Sequence, residues 1–358
     1  MTMLIAGDWG SSNMRLHLCR VEEGRLIPVE TVRGKGAKDV ADHETAFRAA
    51  AGDWIDRHGP MPVLLSGMIG STIGWREAAY LPCPAGPEAM AGALLRFEAA
   101  GCPIAIVPGL SCRNIFGQPD VMRGEEVQLF GWLSGVADDD SERLICLPGT
   151  HAKWVRTRGR TVLDFVTSMQ GEMRELLLAH GLLGRSLAKP YDPAAPTDIA
   201  AFDVGAGLVI DDPSLAIEHG LFALRSRILM GELTSDAAPS FLSGLMIGAE
   251  VRDAVAAHRA RGMAVETIVL VGAEQRTRRR RKTHHDLAVL HRHQARQRTH
   301  AVGQRQVIGL VGDVVGDVVG DDDRDRPQEQ QRREHPVEDL AEQRALLLAR
   351  RLGFLGLI

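Results

Sequence analysis

Near its start the chain reads LIAGDWGSSNMRLHL, which places an acid, Asp8, at the end of an apolar run. Trp9 and Gly10 follow, then Ser11, Ser12 and Asn13, before an alternating run opens at Met14. A glycine-bearing turn between antiparallel strands exposes backbone N–H groups. Small hydroxyl and amide side chains add donors there without blocking a close approach. That is the chemistry of a phosphate cradle built on a hairpin. An acid ending the first strand can hold a magnesium ion or its water shell and so neutralise the phosphates. The second half carries an analogous piece, LPGTHAKWV, whose turn offers Gly149, Thr150, His151 and Lys153. One Gly/Ser turn alone is ordinary turn chemistry. Its recurrence at the same topological point in both halves points to two hairpins gripping a polyphosphate from both sides. A lone histidine makes a poor metal site, so His151 reads as a hydrogen-bonding residue.

Around these turns the pattern predicts α/β organisation. LIAGDW, MRLHLCRV and RLIPVETV read as strands, with the glycine of EEGR turning the second into the third. DHETAFRAAAGDWIDRH has helical spacing through Phe47, Ala50, Trp54 and Ile55, with Asp42 as its N-cap. PVLLSG and CPIAIVPG read as buried strands, EAMAGALLRFEAAG as a helix between them, and RGEEVQLFGWLSG as a further helix. At Arg143 the pattern restarts. RLICLPG, THAKWVRTRG and RTVLDFVTS read as strands and GEMRELLLAHGLLG as a helix, before EHGLFALRSRILMGEL, FLSGLMIGAEVRDAVAAHRARG and a strand, ETIVLVG. Three strands followed by a helix therefore occur twice, as a repeat of topology without a repeat of sequence.

With 358 residues, the chain is long enough for about two domains. A net charge of −4 supplies no basic field for nucleic acid, so no nucleic-acid partner is expected. No apolar stretch approaches the roughly 20 residues of a membrane span, so no membrane partner is expected either. The five cysteines form no C-x-x-C pair, which argues against a zinc or redox motif and, with no signal-peptide pattern, points to the cytoplasm. Oligomeric state is left open, a homo-oligomer included. After Gln275 the character changes to RTRRRRKTHHDLAVLHRHQARQRTH and then GLVGDVVGDVVGDDDRDR, with Phe354 as the last aromatic. Such text carries no sustained period and reads as a disordered tail.

Several segments, in this order and spacing, resemble one family: GDWGSSNMRL, SGMIGSTIGWREAAYLPCPA, IVPGL, VMRGEEVQL, LPGTHAKWV, SMQGEM and FLSGLMIGAE. That family is 2-dehydro-3-deoxygalactonokinase, within the sugar kinase, actin and heat-shock ATPase superfamily. The resemblance covers residue 3 to about residue 274. It implies two ribonuclease-H-like (actin-like ATPase) domains with an interdomain cleft, at 1–140 and 141–275, and an atypical tail at 276–358. It also implies ATP- and magnesium-dependent phosphorylation of a small-molecule sugar acid, 2-dehydro-3-deoxy-D-galactonate, at its 6-hydroxyl. Asp8 then becomes the magnesium-linked acid, and Gly10, Ser11, Ser12 and Asn13 the first phosphate loop. Gly149, Thr150 and Lys153 become the second, while Gly244, Gly248 and Gly272 frame the adenosine. Arg123 suits the substrate carboxylate, since its planar fork matches that anion. Glu125 or Glu126 orients or deprotonates the sugar hydroxyl. Ser66, Gly67, Met68 and Gly70, with Trp75, form the sugar-side wall. Helix packing for the α-helical glycines, a core position for Trp75 and a solvated position for Glu126 remain open as alternatives. The tail departs from the family pattern and reads as a frameshift. Another sugar or sugar acid as substrate, or an inert nucleotide- or sugar-binding relative, also remains open.

Overall fold

The structure is a computed structural model that describes residues 2–22, 25–187, 189–192 and 197–272. The frameshift and disordered-tail reading of 276–358 lies outside the described residues. The first half runs β1 (Thr2–Trp9), β2 (Asn13–Glu22), β3 (Arg25–Lys35), α1 (His43–His58), β4 (Val63–Ser66), β5 (Leu81–Pro82), α2 (Pro87–Gly92), β6 (Leu95–Ala99) and β7 (Cys102–Ile106). The short strands β8 (Leu110–Arg113) and β9 (Pro119–Met122) lead into α3 (Glu125–Ser134). The second half runs β10 (Glu142–Leu147), β11 (Ala152–Arg158), β12 (Thr161–Ser168), α4 (Gln170–Ala179), α5 (Ile199–Asp211), α6 (Ile217–Leu229), α7 (Ala238–Arg259) and β13 (Ile268–Leu270).

The first sheet has the order β3-β2-β1-β4-β7-β6 and the second β12-β11-β10-β13. In each, the opening strand pairs antiparallel with the next strand and parallel with a strand that returns after helix. β1 meets β4 with Asp8 beside Ser66, and β10 meets β13 with Cys146 beside Leu270. The β-β-β-helix repeat is therefore a repeat of three-dimensional topology. β5, β8 and β9 form a small third sheet between the two.

Local sequence explains most of these elements. Asp42 caps α1 by accepting from the backbone N–H groups of Glu44 (3.1 Å) and Thr45 (3.2 Å). Phe47, Ala51, Trp54 and Ile55 on its inner face pack with Ile5, Trp9, Leu16, Leu65 and Ile104 from the sheet. Full burial of an aromatic such as Phe47 contributes about 1.5–3 kcal/mol. The helix expected over EAMAGALLRFEAAG is present only as α2. Leu95–Ala99 is instead a strand paired antiparallel with β7, Leu95 opposite Ile106. Its alternating exposure has period two, and Ala100 (φ 53°) with Gly101 (φ 76°) turns the hairpin. One apolar cluster crosses between the halves. Leu64, Val107, Leu110, Leu129 and Leu133 pack there with Ile145, Leu147, Val155, Val162 and Phe165.

α5 and α7 cross at small residues. A Cβ on Gly244 would overlap the Phe202 carbonyl, and one on Gly248 would lie 2.9 Å from Val209 Cγ2. Gly205, on the opposite helix, meets the Phe241 carbonyl in the same way. These contacts let the two backbones approach, and they account for both α7 glycines by packing. Gly244→Ala should therefore lower stability by about 2 kcal/mol, within the range for overpacked cores. Gly52→Ala in α1, where a Cβ meets only Arg48 Cγ at 3.9 Å, should raise it by about 0.5–1 kcal/mol through helix propensity. Urea unfolding of both variants checks the opposite signs.

Candidate active site

Gly10 closes the first turn, donating to the Asn13 carbonyl at 2.9 Å. The turn's own carbonyls are taken from behind. Ala37 donates to Gly10 O (2.9 Å) and Lys38 to Ser11 O (3.2 Å), while Trp9 Nε1 holds the Lys35 carbonyl at 3.1 Å. Ser11, Ser12 and Asn13 are left exposed. The fit depends on Gly36, where a Cβ would overlap the Ser11 carbonyl. Sequence reasoning missed Gly36. Its available signal was the pair Gly34 and Gly36, two residues apart at a strand end in VRGKGAKD.

Asp8, next to last in β1, lies opposite Arg15 of β2 and beside Ser66 of β4. Ser66 itself is buried and spends its hydroxyl on the Gly7 carbonyl (3.2 Å), so it supports the sheet rather than lining a wall. Gly67 follows with φ 86°, and a Cβ there would sit 3.1 Å from Asp8 Oδ1 and 3.0 Å from the Trp9 carbonyl. Gly124, with φ 106°, comes within 3.8 Å of Gly67 Cα on the same measure. A Cβ on Gly70 would lie 2.9 Å from Arg123 Nη1. Gly67 thus lets the backbone pass close to Asp8, Gly70 lets it pass close to Arg123, and Gly124 lies near Gly67. Met68, between them, is partly buried against the core.

Arg123 is held rigidly. Its Nη2 donates to the Ala78 carbonyl at 2.8 Å, and its guanidinium lies over the Tyr80 ring, 4.4 Å from the centroid. Nε and Nη1 are buried and have no hydrogen-bond partner among the described residues. Two buried guanidinium nitrogens without acceptors leave room for an anion to complete them. Glu125 opens α3 and is partly buried, whereas Glu126 is fully buried. Glu126 Oε2 accepts from Gly124 N at 2.5 Å, and Oε1 has no partner among the described residues. Burial first, and the neighbouring Glu125 charge next among the raising effects, push the Glu126 carboxyl up to about 8. It is therefore protonated at neutral pH, and the solvated alternative falls away. Trp75 is partly buried and packs against the first core cluster. Its ring centroid lies 6.5 Å from Trp9, 5.7 Å from Phe47 and 5.5 Å from Phe97.

The second turn rests on the start of α4. A Cβ on Gly171 would come within 2.7 Å of Thr150 Cα and 2.8 Å of the Gly149 carbonyl. Glu172 N donates to Thr150 O (3.2 Å), and the Glu172 carboxylate pairs with His151 Nε2 at 2.5 Å. His151 is thus a hydrogen-bonding residue, as its isolation suggests. Gly272 (φ 149°) lies two residues past β13, where a Cβ would sit 3.5 Å from Pro148 Cδ at the start of the same turn. Lys153 departs from its expected place. It is buried, and its ammonium donates to Val121 O (3.1 Å) and Thr167 Oγ1 (2.8 Å), so it braces two strands instead of facing the turn. Gly244 and Gly248 lie in the α5–α7 crossing described above.

Two sheets of like strand order, each with a polar turn between its first two strands, define the actin-like ATPase and sugar-kinase class of folds. Within that class, the chain belongs to the 2-keto-3-deoxy-galactonokinase family, whose model matches residues 8–307. The match runs past Glu274, where the resemblance read from the sequence stops. The chain is 37% identical to 2-dehydro-3-deoxygalactonokinase of Escherichia coli (strain K12) over 260 residues, covering 70% of this chain and 81% of that protein. A relative from Rhizobium meliloti (strain 1021) is 33% identical over 276 residues, covering 75% of this chain and 84% of the relative. A crystal structure of a candidate 2-dehydro-3-deoxygalactonokinase from Sinorhizobium meliloti superimposes with a TM-score of 0.64 at 30% identity. That match covers 78% of this chain and 89% of the other.

The raised pKa of Glu126 carries a stability consequence with a definite sign. Between the ordinary value of 4.5 and about 8, the unfolded chain ionises this carboxyl while the folded chain keeps it protonated. Stability present at low pH is then lost as pH rises through this window. Glu126→Gln keeps an acceptor for Gly124 N and removes the titration. Its stability should exceed that of the wild type at about pH 8 by more than at about pH 5, read by urea unfolding at both values.

Proposed function

We propose that the chain transfers the γ-phosphoryl group of ATP to the 6-hydroxyl of 2-dehydro-3-deoxy-D-galactonate, as a step of D-galactonate catabolism. The observation that carries this reading is Arg123, whose Nε and Nη1 are buried without a partner among the described residues and which packs on Gly70, near the Gly67 that adjoins Asp8. A sugar-acid carboxylate would satisfy those nitrogens and fix the substrate at one end. The family relatives support the acceptor, and the two polar turns support a polyphosphate donor.

Phosphoryl transfer needs positioning and charge neutralisation more than covalent chemistry. The exposed 10–13 turn and the 149–150 turn supply backbone and hydroxyl donors for the phosphates. Asp8 offers a hard oxygen near the end of β1, which suits magnesium, a cation commonly held by one or two carboxylates together with phosphates and water. Magnesium, when bound, supplies charge neutralisation on the transferring group. Glu126, holding its proton, donates to a sugar oxygen, and Glu125 at the head of α3 serves as the base near the attacking hydroxyl. The described cysteines are all free, which supports a reducing, cytoplasmic setting. Among the described residues, no helix is long and apolar enough to cross a membrane.

Two substitutions test the assignment in a coupled assay with ATP, magnesium and a panel of sugar acids. Asp8→Asn should lower turnover at least about a hundredfold with the fold retained. Near-normal turnover would remove Asp8 from the site. Arg123→Lys should raise KM for the sugar acid by at least about tenfold and leave KM for ATP within about twofold, because lysine lacks the planar fork. An equal loss for both ligands would move Arg123 away from the acceptor.

A further inference from the structure

Arg123 and the 148–151 turn belong to different parts of the chain, and their separation must be fixed for transfer to succeed. A closed ring of hydrogen bonds links the strands that carry them. Asp120 Oδ1 accepts from the Thr167 hydroxyl (2.6 Å) and from Val121 N (2.9 Å). Its Oδ2 accepts from Thr167 N (2.8 Å) and from Asn114 Nδ2 (3.4 Å). The Thr167 hydroxyl, its proton given to Asp120, accepts from Lys153 Nζ (2.8 Å), and Lys153 Nζ also donates to the Val121 carbonyl (3.1 Å). The ring closes through Val121 back to Asp120.

Its three strands lead straight into the site. β9, with Asp120 and Val121, ends at Met122, and Arg123 follows directly. Lys153 lies in β11 just past His151, and Thr167 lies in β12 just before α4, on which the second turn rests. β9 makes no ladder with β12, so the Asp120–Thr167 bonds take the place of rungs. Burying a lysine to join strands is not the cheapest way to gain stability, since an apolar contact commonly does as well. What a satisfied charged ring adds is one defined geometry.

We propose that Asp120, Thr167 and Lys153 form a positioning ring that fixes the carboxylate-binding arginine relative to the phosphate turn. The ring thereby directs the phosphoryl group to the sugar hydroxyl instead of water. The proposal rests on the kinase reading above. In both outcomes the bond from the γ-phosphorus to the oxygen of ADP breaks. With the sugar as acceptor, a new P–O bond forms to the 6-oxygen and the hydroxyl proton is released. With water as acceptor, the products are ADP, inorganic phosphate and a proton. A shift of about 1 Å at such a centre can cost about a hundredfold in rate. The ratio of ADP formed to sugar phosphate formed therefore reads the ring directly.

The experiment measures ADP and sugar phosphate together for wild type, Thr167→Val and Thr167→Ser in the full chain. Thr167→Val keeps the shape and removes the hydroxyl. The expected result is a drop of about tenfold or more in kcat for sugar phosphorylation, with both KM values within about twofold. ADP formed per sugar phosphate should rise above the wild-type ratio, and Thr167→Ser should restore both. A Thr167→Val protein that is merely less stable, with wild-type kcat and ratio, overturns the proposal. If Thr167→Val does not fold, Asp120→Asn carries the same measurement with the same two outcomes. A wild type that makes no sugar phosphate from ATP overturns the kinase reading and this proposal with it. Normal transfer by wild type and variant alike overturns only the ring.

Discussion

The 67–70 backbone can run hard against both Asp8 and Arg123 because residues 67 and 70 have no side chains. A Cβ at 67 would crowd the Asp8 carboxylate and one at 70 would crowd the Arg123 guanidinium, at 3.1 and 2.9 Å. Gly67 and Gly124 also take positive φ values, which an L side chain adopts only at a cost. Gly124 turns the chain between β9 and α3, so that Arg123 and Glu126 fall on either side of one tight bend. Remove that freedom and the arginine, the buried acid and the helix start can no longer share a few ångströms of backbone.

The rest of the molecule keeps this bend in place. On one face of the first sheet, Trp75 packs edge to face with Trp9 and Phe97 and at a tilt with Phe47, anchoring both the strand that ends near Asp8 and the loop that follows Gly70. On the other face, the cluster from Leu64 to Phe165 joins the two halves through apolar contact. Such burial is non-directional and brings the sheets together without setting their register. The polar links across the same region, from Lys153 and Asp120 to Val121 and Thr167, are directional and do set it. Apolar area and a few charged hydrogen bonds thus divide the work of holding the site.

Much of this was legible in the sequence. The strands around Asp8 and Pro148, the cap at Asp42 and the restart at Arg143 all follow from local periodicity and turn chemistry, which the fold respects. Leu95–Ala99 was misread because a five-residue alternating strand next to an alanine-rich helix start looks helical in a longer window. α5 went unread because Gly205 and Gly207 interrupt its apolar run, although Gly205 serves the crossing with α7. Gly36 and Gly171 were missed because each supports a turn remote in sequence. Lys153 was placed at the second turn from its place in LPGTHAKWV and from the family resemblance. Strand alternation carries its side chain inward toward Val121 and Thr167, and only the three-dimensional pairing of β11 reveals those partners. The burial of Glu126, three residues after Arg123, is likewise a tertiary fact.

The central claim is that the sugar acid binds beside Gly67, Gly70 and Gly124, carboxylate on Arg123 and reacting hydroxyl toward Asp8. A crystal structure of the full chain with 2-dehydro-3-deoxygalactonate and a non-hydrolysable ATP analogue tests it most directly. The account predicts carboxylate oxygens within about 3 Å of Arg123 Nε or Nη1, as charge-assisted pairs require, and the sugar chain lying along the three glycines. Sugar acid bound elsewhere, with the Arg123 nitrogens still unpartnered, would contradict it.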